Sequence, residues 1–149
     1  MTLCYLALGS NLSSPQRQLR RAIKQINTLP GTYLLKVSHL YFSKAWGRKL
    51  QPNFYNAVVA VHTRLSPEAL LKQCQSIENK QGRQRKVRYG ARTLDIDILL
   101  YDKKSVVKSD KLIVPHPRLL ERDFVLIPLL EIAPLVCMPD GSRVIEARN

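Results

Sequence analysis

The order in which two hydrophobic periodicities alternate along the chain, as far as Tyr101, is the strongest constraint on its fold. Leu3 to Leu8 is an apolar run that predicts a strand, with Gly9-Ser10-Asn11 as the turn that follows it. Ser14-Pro15 predicts a helix N-cap with proline at the first helical position. Leu19, Ala22, Ile23, Ile26 and Leu29 then recur at helical spacing until Pro30-Gly31 stops the helix. Tyr33 to Phe42 has the β-branched and aromatic content of a second strand, and Phe54 to Thr63 that of a third, with a polar loop from Ser43 to Asn53 between them.

Ser66-Pro67 repeats the capping signal, with Leu65 and Leu70 placed to form a hydrophobic staple. Leu70, Leu71, Cys74 and Ile77 make the apolar stripe of a second helix, and the basic segment Gly82 to Arg92 follows as a loop. Leu94 to Tyr101 is a fourth strand, and Asp102-Lys103-Lys104-Ser105 predicts a hairpin turn. Val106-Val107 and Leu112 to Val114 are short extended pieces. Phe124 to Ile132 is a third helix, with Pro128 expected to disturb it locally or to mark a late start, and Met138 to Asn149 is a turn with a frayed end. Strand, helix, strand, strand, helix, strand is the split βαβ order of ferredoxin-like folds. The expected class is therefore α+β: a βαββαβ antiparallel sheet with helices packed on it, plus short C-terminal strands and a third helix. Two helices on one face of the sheet would form the main core.

With 149 residues and no linker, repeat or low-complexity stretch, residues 1–149 are expected to form one domain. No stretch is apolar and long enough to span a membrane, and the first residues lack the pattern of a signal peptide. Cys4, Cys74 and Cys137 lie far apart in apolar surroundings, which predicts buried thiols in a reducing cytoplasm rather than disulfides or a zinc site. The charge is the compositional outlier, with 24 basic against 11 acidic residues and a net charge of +13. Such a chain attracts nucleic acid, anionic membrane or phosphorylated small molecules. Arg17, Arg20, Arg21 and Lys24 have the spacing of a solvated helix face. Arg83, Arg85, Lys86, Arg88 and Arg92 crowd into ten residues without an acid and lead into an aspartate pair.

That pair, Asp95 and Asp97, interrupts the aliphatic strand Leu94-Asp95-Ile96-Asp97-Ile98. Period-2 geometry puts both carboxylates on one face and the aliphatic side chains on the other. Side-by-side carboxylates repel, so a cation between them relieves a cost. Hard oxygen ligands suit magnesium, which shares its shell with substrate phosphates. A bare pair of acids is more often an ordinary exposed strand face; the arginines upstream point instead to phosphoryl transfer. The chain has no G-x-x-x-x-G-K-[ST] loop.

Arg88-Tyr89-Gly90-Ala91-Arg92-Thr93-Leu94-Asp95-Ile96-Asp97-Ile98-Leu99 resembles the signature of the 6-hydroxymethyl-7,8-dihydropterin pyrophosphokinase family of folate biosynthesis. Ala7-Leu8-Gly9-Ser10-Asn11-Leu12, Gln51-Pro52-Asn53-Phe54-Tyr55-Asn56-Ala57, Val114-Pro115-His116-Pro117 and Pro128-Leu129-Leu130-Glu131-Ile132-Ala133-Pro134 extend the likeness over nearly the whole chain. The resemblance implies a ferredoxin-like fold and transfer of pyrophosphate from ATP to the pterin hydroxymethyl group, releasing AMP. It implies that Asp95 and Asp97 hold two Mg2+ ions and that Arg83 and Arg92 stabilise the transfer. Lys86, His116 and Arg122 would add phosphate or ribose contacts, and Gln75, Glu78, Ile98 and Lys111 would line the ATP site, partly through backbone. Phe54 and Phe124 would sandwich the pterin, Asn56 would bond its edge, and Ser43 and Trp46 would offer backbone contacts. Physics agrees, since a fused ring gains from two aromatic faces and an edge amide is expensive to leave unpaired.

Several residues depart from the family pattern. Pro117 follows the histidine where a tyrosine is common, Lys111 replaces an arginine, and Tyr89 replaces a tryptophan. No acidic residue precedes Gln51-Pro52. None of these touches the aspartate pair. The resemblance further implies a monomer acting on ATP and the pterin, without nucleic acid or membrane. The alternatives are a nucleic-acid-binding ferredoxin-like domain and a metal-dependent nuclease. Against the first stand the lack of an RNP-like aromatic segment and the repulsion between Asp95, Asp97 and a phosphate backbone. His39 and His62 read as ordinary strand residues.

Overall fold

The structure, a computed structural model, describes residues 1–43, 54–82, 93–103 and 105–147. β1 (Thr2–Ser10) lies at the centre of an antiparallel sheet, between β4 (Phe54–Thr63) and β5 (Leu94–Tyr101). β2 (Thr32–Val37) and β3 (Tyr41–Ser43) both pair with β4, so the order across the sheet is β2-β4-β1-β5. With β2 and β3 taken as one interrupted strand, this is the expected ferredoxin-like sheet. α1 (Pro15–Ile26) and α2 (Pro67–Gly82) cover one face. Leu19, Ala22, Ile23 and Ile26 of α1 and Leu70, Cys74 and Ile77 of α2 bury against Leu6, Leu8, Val59, Val61, Ile96 and Ile98.

The opposite face carries a second core that the sequence pattern did not announce. α3 (Asp123–Ile132) and the short α4 (Val144–Ala147) bury Val125, Leu126, Leu129, Ile132 and Val144 against Ala7, Val58, Ala60 and Leu99. The expected frayed end is instead helical from Val144 to Ala147, and Val144 anchors it by full burial. Pro128 sits inside α3 without ending it.

Other expectations are corrected locally. Gly9 and Ser10 belong to β1 rather than to a turn. The single strand expected over Tyr33 to Phe42 breaks at Ser38, whose hydroxyl accepts from the Val58 N–H at 2.9 Å while its own N–H donates to the Val58 carbonyl at 2.9 Å. A side chain thereby replaces a strand carbonyl and lets the backbone leave the ladder. Ser14 has left-handed backbone angles and makes no side-chain cap bond, whereas the Ser66 hydroxyl does accept from Ala69 N–H. The turn at Asp102 does not close a hairpin on β5, because β6 (Val107–Lys108) pairs with β7 (Ile113–Val114). Cys4 and Cys74 are buried free thiols, but Cys137 is exposed. His39 lies in the break between β2 and β3, not in a strand. Among the described residues no helix is long and apolar enough to cross a membrane.

Candidate active site

The register of three strands builds the floor of a cleft on the α3 side of the sheet. Asn56, Gly9 and Asp95 stand in one row across β4, β1 and β5, and Val58, Ala7 and Asp97 in a neighbouring row. Strand alternation turns Leu94, Ile96 and Ile98 into the core beneath and both aspartates to this face. The cleft encloses about 490 Å3, with Phe54, Asn56 and Ser43 at one side, Asp95 and Asp97 at the other, and Arg122 and Phe124 from the start of α3 above.

Gly9 decides how much room there is. A Cβ at this position would stand 2.9 Å from Asn56 Oδ1 and 3.9 Å from Phe54 Cδ1, so a side chain here would occupy the floor itself. Sequence reasoning missed this role. The available signal was a glycine in continuous register with a strand, which marks close approach of backbone or ligand as readily as a turn.

Asn56 is a polar residue 5 % exposed, and its Nδ2 donates to the Ser43 hydroxyl at 2.9 Å. The structure thus gives Ser43 a side-chain task, holding the amide, that the sequence had assigned only to its backbone. Phe124 is 41 % exposed, an unusual state for phenylalanine, and the Arg122 guanidinium lies 5.6 Å from its ring centroid.

On the acidic side, the Thr93 hydroxyl donates to Asp95 Oδ2 at 3.0 Å. Desolvation by the cleft walls raises the Asp95 pKa, Asp97 adds to the rise, and the Thr93 bond and Arg122 oppose it. Glu78 of α2 reaches the open edge of β5, where its Oε2 accepts from the Ile96 N–H at 2.7 Å. Burial, reinforced by Asp95 and Asp97, pushes the Glu78 carboxyl up to about 7 against the opposing Ile96 bond. Through the Ile96 bond this side chain clamps the strand that carries the aspartates.

His116 follows the cis Val114-Pro115 bond, and its N–H donates to the carbonyl of Leu99, the extra residue of a bulge between β1 and β5. Its Nδ1 accepts from Arg118 N–H at 3.1 Å, so the neutral ring carries its proton on Nε2, which lies 3.9 Å from Asp97 Oδ2. Desolvation lowers the His116 pKa; Asp97 opposes this, while Arg122 and Arg118 add to it. A neutral N–H donor thus stands beside the acids.

Among the described residues the fold gathers Ser43, Phe54, Asn56, Asp95, Asp97, Arg122 and Phe124 around the cleft, with His116 at its acidic side. Ile98 is buried beneath the sheet, so only its backbone is available to a ligand. Gln75 and Lys111 are exposed and do not line the cleft; Gln75 borders a shallow depression on α2. Trp46, Arg83, Lys86 and Arg92 lie outside the described residues. Arg118 and Glu121, which also line the cleft, were missed, although both closely follow Pro115-His116-Pro117.

Two carboxylates on one rigid strand, open to a cleft, fit a magnesium ion that completes its shell with water and phosphate oxygens. Among the described residues no third acid, histidine or cysteine joins them as a closed metal cage.

Fold and cleft together define a ferredoxin-like α+β protein that sets an acidic pair beside an aromatic and amide floor. The family model of 7,8-dihydro-6-hydroxymethylpterin-pyrophosphokinase matches residues 5–134. The chain is 44 % identical over 146 residues to the 2-amino-4-hydroxy-6-hydroxymethyldihydropteridine pyrophosphokinase of Haemophilus influenzae, covering 98 % of this chain and 91 % of the relative. It is 45 % identical over 142 residues to the protein of the same description from Pseudomonas aeruginosa, covering 95 % and 87 %. The chain belongs to this family of pterin pyrophosphokinases. Its fold also matches crystal structures of fused HPPK-DHPS chains. One, in complex with substrates, has a TM-score of 0.74 at 12 % identity, and the wild-type Plasmodium falciparum protein with SDX-DHP has 0.68 at 15 %. Both likenesses cover all of this chain, which spans 45 % and 43 % of those longer chains. The alternatives of a nucleic-acid-binding domain or a nuclease find no support among these relatives.

Proposed function

We propose that this chain transfers the pyrophosphoryl group of ATP to the hydroxymethyl oxygen of 6-hydroxymethyl-7,8-dihydropterin within this cleft. One observation carries it above the others. A floor cleared by Gly9 lies between a buried amide flanked by Phe54 and Phe124 and a pair of carboxylates one strand away. A flat heteroaromatic ring fits the first part and a metal-bound triphosphate the second, which brings a hydroxymethyl substituent of the ring toward the phosphates.

Phe54 and Phe124 cover the ring, and Asn56, fixed by Ser43, bonds its edge. Asp95 and Asp97 hold two Mg2+ ions, which when bound neutralise and orient the phosphate oxygens. Arg122 and the Nε2–H of His116 face the triphosphate, and Arg83, Lys86 and Arg92 add positive charge from outside the described residues. The hydroxymethyl oxygen attacks the β-phosphorus and loses its proton. The bond from that phosphorus to the α-phosphate oxygen breaks, and AMP leaves. A single domain acting as a monomer in the cytoplasm, without nucleic acid, completes the proposal; the buried free thiols Cys4 and Cys74 suit a reducing compartment.

Incubation with ATP, Mg2+ and the hydroxymethyl-dihydropterin, followed by nucleotide and pterin analysis, tests it. AMP and pterin diphosphate are expected in equal amounts. Formation of ADP would make the chain an ordinary kinase and overturn the assignment.

A further inference from the structure

Glu131 occupies the last turn of α3, where the negative end of the helix dipole disfavours a carboxylate and no basic residue of that turn compensates it. It is nevertheless heavily bonded. Its Oε1 accepts from the Tyr41 hydroxyl at 2.6 Å, and its Oε2 stands 2.6 Å from His39 Nδ1. Both oxygens also face the His39 backbone N–H, at 3.1 and 3.3 Å. Desolvation opposes ionisation of Glu131, but the bonds from Tyr41 and His39 outweigh it and hold the pKa below the ordinary glutamate range. The same bond raises the Tyr41 pKa.

The partners of Glu131 lie on and beside β3, a three-residue strand whose sheet partner among the described residues is β4 alone. Tyr41 sits opposite Asn56 in that pairing and Ser43 opposite Phe54. Alternation therefore puts Tyr41, Ser43, Phe54 and Asn56 on the cleft face, while Phe42 points away and meets Tyr55 edge to face at 5.5 Å. The other end of α3 supplies Arg122 and Phe124 to the cleft roof. One helix thus carries the aromatic roof at its start and, at its end, the acid that grips the strand of the amide floor.

We infer that Glu131 is a positioning residue for ring recognition: by tying the last turn of α3 to Tyr41 and His39, it fixes β3 so that Ser43 holds the Asn56 amide beneath Phe124. This rests on the assignment of the Asn56 side of the cleft to the pterin. Without the tie, β3 loses its bonded link to the last turn of α3, and the Ser43–Asn56 bond loses its fixed geometry. The effect falls on the ring subsite and leaves the carboxylate side, built on β5, in place.

Titration of 6-hydroxymethylpterin fluorescence, with Mg2+ and a non-hydrolysable ATP analogue present, tests this on wild type, Glu131→Ala, Glu131→Gln and Tyr41→Phe. Affinity for the analogue is measured separately. Glu131→Ala is expected to weaken pterin binding about tenfold, with analogue affinity kept within about twofold of wild type. Glu131→Gln, which retains an acceptor for Tyr41, recovers part of the loss, and Tyr41→Phe reproduces part of it. Unchanged pterin affinity in a folded Glu131→Ala protein overturns the inference, as does equal weakening of pterin and analogue, the mark of general loosening. If Glu131→Ala does not fold, Tyr41→Phe decides by the same two readouts. Failure of the wild-type protein to bind pterin at all is a separate result that removes the assignment of the cleft, and this inference with it.

Discussion

Gly9 occupies a place where one added methyl group would stand 2.9 Å from Oδ1 of the Asn56 side chain. Gly9→Ala is therefore expected to cost about 1–3 kcal/mol of stability through overpacking and to weaken pterin binding about tenfold or more. Denaturant unfolding and pterin titration measure the two effects. Wild-type ring affinity in this variant would place the ring elsewhere. Glu78 makes a different prediction. Its folded pKa, raised by burial from 4.5 to about 7, means that the native protein holds a proton the unfolded chain releases between those values. Its contribution makes stability fall as pH rises through that window and level off above it. Glu78→Gln, which keeps an acceptor for Ile96 N–H, is expected to flatten this fall in a series of melting temperatures against pH. Parallel curves for the two proteins would refute the assignment. Asp95 and Asp97 were legible in the sequence because two acids at period 2 break an aliphatic strand and crowd like charges on one face of it. Gly9 and Ser43 were not, because a glycine at a strand end reads first as a turn, and the Ser43 hydroxyl finds Asn56 only once β3 pairs with β4.

At the scale of elements, legibility followed the locality of the signal. β4 and β5 begin and end where their residues predict, since β-branched, aliphatic and aromatic residues dominate both runs even though Asn56, Asp95 and Asp97 interrupt them. α2 starts at its Ser66 cap as expected. The break between β2 and β3 depends on a bond between Ser38 and Val58, twenty residues away, and leaves no local mark. The second core escaped for the same reason. α3 is apolar on most sides, so its pattern does not say which element it meets, and α4 is only four residues long. That short helix still matters, because Val144 is fully buried in the second core. Val144→Ala is expected to destabilise the fold by about 1–3 kcal/mol, measured by denaturant unfolding. A change within experimental scatter would show that the C-terminal turn packs without contributing.

The whole molecule divides its labour between the two faces of one sheet. α1 and α2 cover one face with the main core, and α3 closes over the other while leaving the cleft open above β1, β4 and β5. The net charge of +13 suits a protein that draws a triphosphate toward two aspartates that would otherwise repel it. Charge alone left nucleic acid as a candidate; the placement of the acids inside a cleft floored by an amide favours a phosphorylated small molecule. In the proposed reaction the β5 carboxylates act on the phosphates while the β4 side of the same cleft holds the ring. The most direct measurement is the single-turnover rate of Asp95→Asn and Asp97→Asn, with pterin affinity determined in parallel without nucleotide. Each variant is expected to lose about 100-fold or more in the chemical step and to keep pterin affinity within about twofold of wild type. Near-normal turnover in both would contradict the account.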